Sequence, residues 1–270
     1  YIMIFLKNVE ISQLEKNTEI ISDEIFSLME ELYPICRSIT GEGVRKTLEI
    51  LYNHIPLIKH EIATGTKVFD WEIPKEWNVY DAYIENLSGE KIVDFKKTNL
   101  HLVSYSIPIK KRISGELLKK HLFSIPEQPK TVPYITSYYS ENWGFCLEHE
   151  KLLQMNDDEY NIVIESKLHD GHLTYGEYYI PGKSEKEIVF STYICHPSMC
   201  NDNLSGVVIA TALAKYLKDF DLNYSIRFLF IPETIGAITW LFFNQKNIDR
   251  IKHGLVLTCI GDSGKFTYKK

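Results

Sequence analysis

Ile25, Leu28, Met29 and Leu32 recur at helical spacing, and so do Val44, Leu48, Leu51 and Ile55. Apolar positions three and four apart line one face of a helix, so two amphipathic helices are predicted at the start. Cys36 to Gly43 reads as the turn between them, with Thr40 as an N-cap. From Trp71 to Ile180 the pattern changes to short alternating runs rich in Trp and Tyr. Trp77–Ile84 and Ile92–Phe95, around the turn signal Leu87-Ser88-Gly89, predict a hairpin. Leu100–Ser106, Tyr134–Tyr139 and Tyr160–Ser166 predict further strands, and Pro126, Pro129 and Pro133 mark a loop.

After Pro181-Gly182 the pattern changes again. Ile188 to Cys195 is a nearly continuous apolar run, as in a strand buried on both faces. Leu204, Val207, Ala210, Leu213 and Leu217 form a helix face. Ile226–Ile231 predicts a second buried strand, Ile235–Phe243 a helix and Leu255–Ile260 a third strand. Strand and helix alternating in this way imply a parallel sheet with helical crossovers. The fold expected is α/β: a mainly parallel sheet with helices on both faces, built from residues 1–64 and 181–270. Residues 65–180 are expected to form a mostly β inserted domain. Three strands make a thin parallel sheet, so the α/β part reads as C-terminally truncated.

Composition narrows the class. The chain has 270 residues, 44% of them hydrophobic and 13% aromatic, which suits a globular protein rather than a disordered or fibrous one. A net charge of −6 argues against a nucleic-acid footprint. Lys110-Lys111-Arg112 is the one basic cluster of note and reads as a solvated turn. No apolar run approaches the roughly 18 residues of a membrane span. Tyr1–Leu6 is too short, and lacks the charged leader, for a signal peptide. Five scattered cysteines argue against a disulfide framework. The expected setting is cytoplasmic, with no nucleic-acid or membrane partner; homo-oligomerisation stays open.

Chemistry concentrates where the predicted parallel strands end. The first strand exits into Cys195-His196-Pro197-Ser198-Met199-Cys200-Asn201-Asp202-Asn203-Leu204-Ser205-Gly206. An imidazole and a carboxylate on one loop, ahead of a helix, suit a Zn²⁺ site. The second strand exits at Pro232-Glu233-Thr234, the third at Gly261-Asp262-Ser263-Gly264. Active sites of open α/β sheets are built at this edge. Each residue also has an ordinary reading. Asp202 or Asn203 can cap the next helix, Glu233 can serve the helix dipole, and Asp262 can be a turn residue. A structural knuckle through Cys195 and Cys200 lacks a second ligand pair. A Cys195–His196 nucleophile pair is disfavoured because neighbours on a strand point to opposite faces.

Asn201-Asp202-Asn203-Leu204-Ser205-Gly206 resembles the Asp-Asn-x-Ser-Gly segment of the M28 zinc aminopeptidases, whose Asp bridges two metals. The resemblance is closer to the bacterial aminopeptidase-like proteins of polysaccharide biosynthesis loci, which carry an uncharacterised domain after the first helices. His196 stands at the place of the upstream metal His, Glu233 at that of the general base and Asp262 at that of a later metal Asp. Leu32 to Leu51, with Arg37 and Thr40-Gly41, resembles the opening segment. The resemblance implies a hydrolase of a peptide or amide bond, with His196, Asp202 and Asp262 as metal ligands and Glu233 as catalytic base. Two departures bear on it. Thr234 replaces the Glu that follows the base and binds one metal, so one Zn²⁺ is expected rather than two. The last metal His of the family has no counterpart up to Lys270, and whether such a ligand lies beyond that residue stays open. A non-catalytic peptidase-like scaffold with a degenerate metal site is the alternative.

Overall fold

The computed structural model describes residues 18–138, 140–156, 158–265, 267 and 268; the Tyr1–Leu6 and Tyr139 expectations lie outside them. The described residues divide into two compact units, one of residues up to 73 and from 172, the other of residues 74–171. The segments 65–73 and 172–180, grouped with the β insert on sequence, therefore fall in the first unit.

The first unit contains α1 (Thr18–Leu32), α2 (Glu42–Tyr52), β1 (Ile58–Ala63), β2 (His172–Ile180), β3 (Ser184–Tyr193), α3 (Ser205–Leu217), β4 (Tyr224–Ile231), α4 (Ile235–Asn244) and β5 (Ile251–Val256). Its sheet runs β1-β2-β4-β3-β5. β3 pairs in parallel with β4 and β5, while β2 is antiparallel to both β1 and β4. The sheet is thus mixed. The three parallel strands are those expected, and two antiparallel strands extend it on one side.

β4 shows why the strands read as continuous apolar runs. Ile226, Phe228 and Phe230 join the core made with α1, α2 and α3. Burying each Phe ring contributes about 2–3 kcal/mol. The intervening residues serve the opposite face. There Arg227 grips Glu187 through two bonds of 2.7 and 2.9 Å, pairs with Glu177, and lies over the Tyr179 ring. Trp240 of α4 donates to the same Glu177 at 2.8 Å. Helices therefore cover both faces, and this ionic group ties α4 to the sheet.

β3 is the switch point. The chain leaves it through α3 to β4 on one side, then crosses back by way of α4 to β5 on the other. Right-handed crossovers in opposite directions need helices on opposite faces, as found. They also open a crevice beyond the C-terminal end of the central strand.

Local details differ from the sequence expectation. Gly41 (φ 99°), not Thr40, is the N-cap of α2; its left-handed φ suits glycine. The third parallel strand lies earlier than Leu255–Ile260, because pairing sets Leu255 opposite Phe190 and Val256 opposite Ser191.

In the second unit, residues 76–85, 91–94, 109–114 and 159–169 form an antiparallel sheet, with 76–85 and 159–169 in the middle. The hairpin at Leu87-Ser88-Gly89 is present. Lys110-Lys111-Arg112 lies on the edge strand Ile109–Ser114 rather than in a turn. Exposed lysines suit an edge, where they discourage pairing with other chains. Leu100–Ser106 and Tyr134–Tyr138 make isolated bridges at Leu102, Ser104 and Thr136 instead of strands. Trp77, Tyr105, Trp143 and Tyr160 are buried, so these aromatics build a core. Among the described residues no helix is long and apolar enough to cross a membrane, and all five cysteines are free thiols.

Candidate active site

The loop leaving β3 is fixed from behind by Arg37. Its guanidinium donates to the carbonyls of Leu32 (2.6 Å), His196 (2.8 Å) and Pro197 (3.4 Å). The side chain is buried, and that burial pulls its pKa down to about 10. Ser198 adds a bond from its hydroxyl to the Tyr33 carbonyl at 2.6 Å. The turn ahead of α2 thus holds the loop that carries His196.

Past the Asp202–Asn203 peptide, which is cis, the chain enters α3. Neither Asp202 nor Asn203 caps that helix. Leu204 is the N-cap and no side chain accepts from the helix start. The Asn203 amide donates to Thr192 Oγ1 at 2.9 Å, and its oxygen accepts from the Cys259 backbone at 3.2 Å, joining the exits of β3 and β5. Gly206 fits this junction because a Cβ there would sit 2.3 Å from the Leu257 carbonyl oxygen. Asp202 Oδ1 accepts from the Tyr193 hydroxyl, which in turn contacts Thr258 Oγ1 at 2.7 Å.

Glu233 leaves β4 with its backbone N–H bonded to Cys195 Sγ at 3.2 Å. A tight turn follows, in which Ile235 N donates to Glu233 O at 2.6 Å around Thr234 at φ 58°, ψ −73°. This is the rare positive-φ form of the γ-turn. A β-branched residue there is strained, and such strain gathers at functional sites. The turn places Glu233 ahead of α4 rather than in its first turn.

These anchors bring Glu233 Oε2 within 3.6 Å of His196 Nε2. The Glu233 side chain is half exposed, whereas His196 is 11% exposed. Burial holds the His196 pKa down, opposed by the charges of Asp202 and Glu233 and reinforced by Arg37. The contact is longer than a hydrogen bond, and burial disfavours the charged imidazole that an ion pair would need. Cys195, His196 and Glu233 each offer a ligand atom within 4.8 Å of the others, the one such group among the described residues. Burial pushes the Cys195 thiol up to about 12, which removes the thiolate a nucleophile requires.

The structure therefore brings His196 and Glu233 together, with Asp202 close enough for its charge to act on His196. Asp262 stands apart from this group. Its Oδ1 accepts from Gly264 N and its Oδ2 from the Asn201 amide at 2.9 Å. A neutral imidazole and carboxylate oxygens suit a divalent cation such as Zn²⁺. By ligand-atom distance His196 and Glu233 are the residues placed to hold it, and Asp202 is outside that group. Thr234 offers no anionic oxygen for a second one. Sequence reasoning missed Tyr193 and Thr258, which read only as strand residues, and gave Arg37 no role. A lone Arg in an otherwise apolar helix–turn segment was the available signal.

The fold is that of zinc aminopeptidase-like structures. The structure superposes on a zinc aminopeptidase from Bacillus subtilis with a TM-score of 0.57 at 12% identity, covering 88% of this chain and 69% of that one. For the peptidase M28 precursor from Shewanella amazonensis the values are 0.60, 11%, 91% and 72%. At that identity the likeness concerns the fold. Residues 26–270 match the model of a domain of unknown function, DUF4910, and the chain belongs to that family. It is 56% identical over 261 residues to a Clostridium acetobutylicum protein described as a polysaccharide biosynthesis protein with aminopeptidase-like domain, covering 97% of this chain. A crystal structure described as a peptidase from the same organism, also 56% identical, superposes with a TM-score of 0.92 over 94% of this chain. The chain spans 60% of the length of these two relatives.

Proposed function

We propose that this chain belongs to a metal-dependent hydrolase of the aminopeptidase type, acting on a peptide or amide bond. The observation that carries the reading is the meeting of His196 and Glu233 at 3.6 Å, beyond the ends of two adjacent parallel strands. In this reading His196 and Asp202 would hold one Zn²⁺. When bound, such a cation lowers the pKa of a water and polarises a carbonyl. Glu233 takes the proton of the attacking water and delivers it to the leaving amine. Arg37, through the His196 carbonyl, keeps the imidazole in place while this happens. The Clostridium relative's description, a polysaccharide biosynthesis protein with aminopeptidase-like domain, supports a link to polysaccharide biosynthesis.

The test is hydrolysis of a panel of aminoacyl amides and N-acylated amino sugars by the purified full protein, with and without chelator. Turnover of one substrate that chelation abolishes and zinc restores supports the reading. Thr234 favours a second reading, a peptidase-like scaffold without turnover. Zinc binding with no hydrolysis of any substrate would favour it.

A further inference from the structure

Cys195 stands between the two residues that meet at the sheet edge. It is buried, and its Sγ accepts from the Glu233 backbone N–H at 3.2 Å. The same Sγ lies 3.7 Å from His196 Nδ1, within reach of a sulfur hydrogen bond. The other ring nitrogen, Nε2, faces Glu233 Oε2 at 3.6 Å. Backbone, thiol, imidazole and carboxylate thus close a loop that begins and ends at Glu233. Cys195 and His196 follow the end of β3 at Tyr193, so strand alternation no longer sends their side chains to opposite faces.

A neutral imidazole carries one proton, and the partner of one nitrogen decides where it sits. An ionised carboxylate only accepts, so the proton belongs on Nε2, towards Glu233, in the metal-free site. Nδ1 then accepts, and the Cys195 thiol donates to it. When Nε2 gives its lone pair to a cation, the ring proton sits on Nδ1 instead, and the sulfur accepts it. A thiol can fill both roles, weakly, whereas a backbone carbonyl in its place could only accept.

We propose that Cys195 is a positioning residue for His196: its sulfur partners Nδ1 in both tautomers and keeps Nε2 aimed at Glu233, without itself binding a cation. The cation part rests on the metal reading of the site; the part concerning the ring does not. Partners of this kind, on the far nitrogen of a ligating imidazole, typically govern about 10–100-fold in metal affinity.

Three measurements on the full protein compare wild type, Cys195→Ser and Cys195→Ala. Long-range proton–nitrogen NMR spectra of the metal-free forms, at a pH where the imidazole is neutral, read the His196 tautomer. Competition with a chromophoric chelator gives the Zn²⁺ affinity. The absorption spectrum of the Co²⁺ form shows whether sulfur binds the metal. Wild type should carry the His196 proton on Nε2 and show no sulfur-to-cobalt charge-transfer band. Cys195→Ala should give mixed tautomers and bind zinc about 10–100-fold more weakly. Cys195→Ser, whose hydroxyl also donates and accepts, should recover most of both. A wild-type proton on Nδ1 in the metal-free form, or wild-type tautomer and affinity in Cys195→Ala, would overturn the role. Equal losses in the Ser and Ala variants would overturn it in favour of packing, and a charge-transfer band would make Cys195 a ligand instead. No zinc in wild type would overturn the metal reading, while the tautomer spectra would still judge Cys195. The wild-type spectra need no variant, so the proposal stays testable if a variant folds poorly.

Discussion

His196 Nε2 and Glu233 Oε2 lie 3.6 Å apart although they leave different strands by different routes. Arg37 fixes the first through its carbonyl, and Cys195 fixes the second through its backbone N–H. The pairing is thus a property of the sheet edge rather than of any one loop.

Glu233→Gln keeps the size of the side chain and removes its basicity. If Glu233 is the base, kcat falls by about 10²–10⁴ with zinc content unchanged. Steady-state kinetics beside elemental analysis decide it. Loss of zinc in the same variant would mean that Glu233 is a ligand instead.

Arg37→Met removes the donor to three buried carbonyls. The Leu32 carbonyl keeps its bond from Ile35 N at 3.2 Å, and a carbonyl that loses its donor costs about 1–3 kcal/mol, so urea midpoints should report a loss of that order. Lysine restores charge but not the fork, and Arg37→Lys should recover little of the stability. A wild-type midpoint for Arg37→Met would contradict the clamp.

Gly206→Ala places a Cβ against the Leu257 carbonyl oxygen at 2.3 Å and against Asn203 Oδ1 at 2.7 Å. Overpacking of this kind costs about 1–3 kcal/mol. Thermal unfolding should show the loss.

His101 gives the second unit a pH dependence. It is buried, and its Nδ1–H donates to the Cys146 carbonyl at 2.7 Å. Burial lowers its pKa, so the unfolded chain binds a proton at a higher pH than the folded one. Stability is therefore intact above about pH 6.5 and declines as the pH falls through the lower folded value, by at most about 1.4 kcal/mol per pH unit. His101→Asn should flatten that decline in calorimetric scans between pH 7.5 and 5.5. An equally steep decline would assign it elsewhere.

Periodicity made the α/β elements legible. Ile226, Phe228 and Phe230 and the helix-face residues Leu204, Val207, Ala210 and Leu217 are buried, with Leu213 partly so, and pattern and fold agree. β1 was not legible. It is an edge strand whose Lys59 and Glu61 face solvent, and it carries too few apolar positions to show a period. Nor does the pattern single out β2 as a strand: on sequence His172–Ile180 is only part of the mostly β region, and nothing local to it says which partner it takes. At the site, His196, Asp202, Glu233 and Asp262 all stood out by residue type and strand-exit position; the structure shows His196 and Glu233 meeting, Asp202 accepting from Tyr193 and Asp262 accepting from Asn201 and Gly264. Tyr193 was hidden because a tyrosine ending an apolar strand looks like core, and its hydroxyl matters only through a loop that folds back over it.

The central claim is that His196 and Asp202 hold a divalent cation beside Glu233. Zinc per chain, measured by elemental analysis on the full protein and its His196→Ala variant after zinc reconstitution and exhaustive dialysis, tests it most directly. The account predicts one zinc in wild type and a small fraction of that in the variant. Equal zinc in both, or none in wild type, would contradict it.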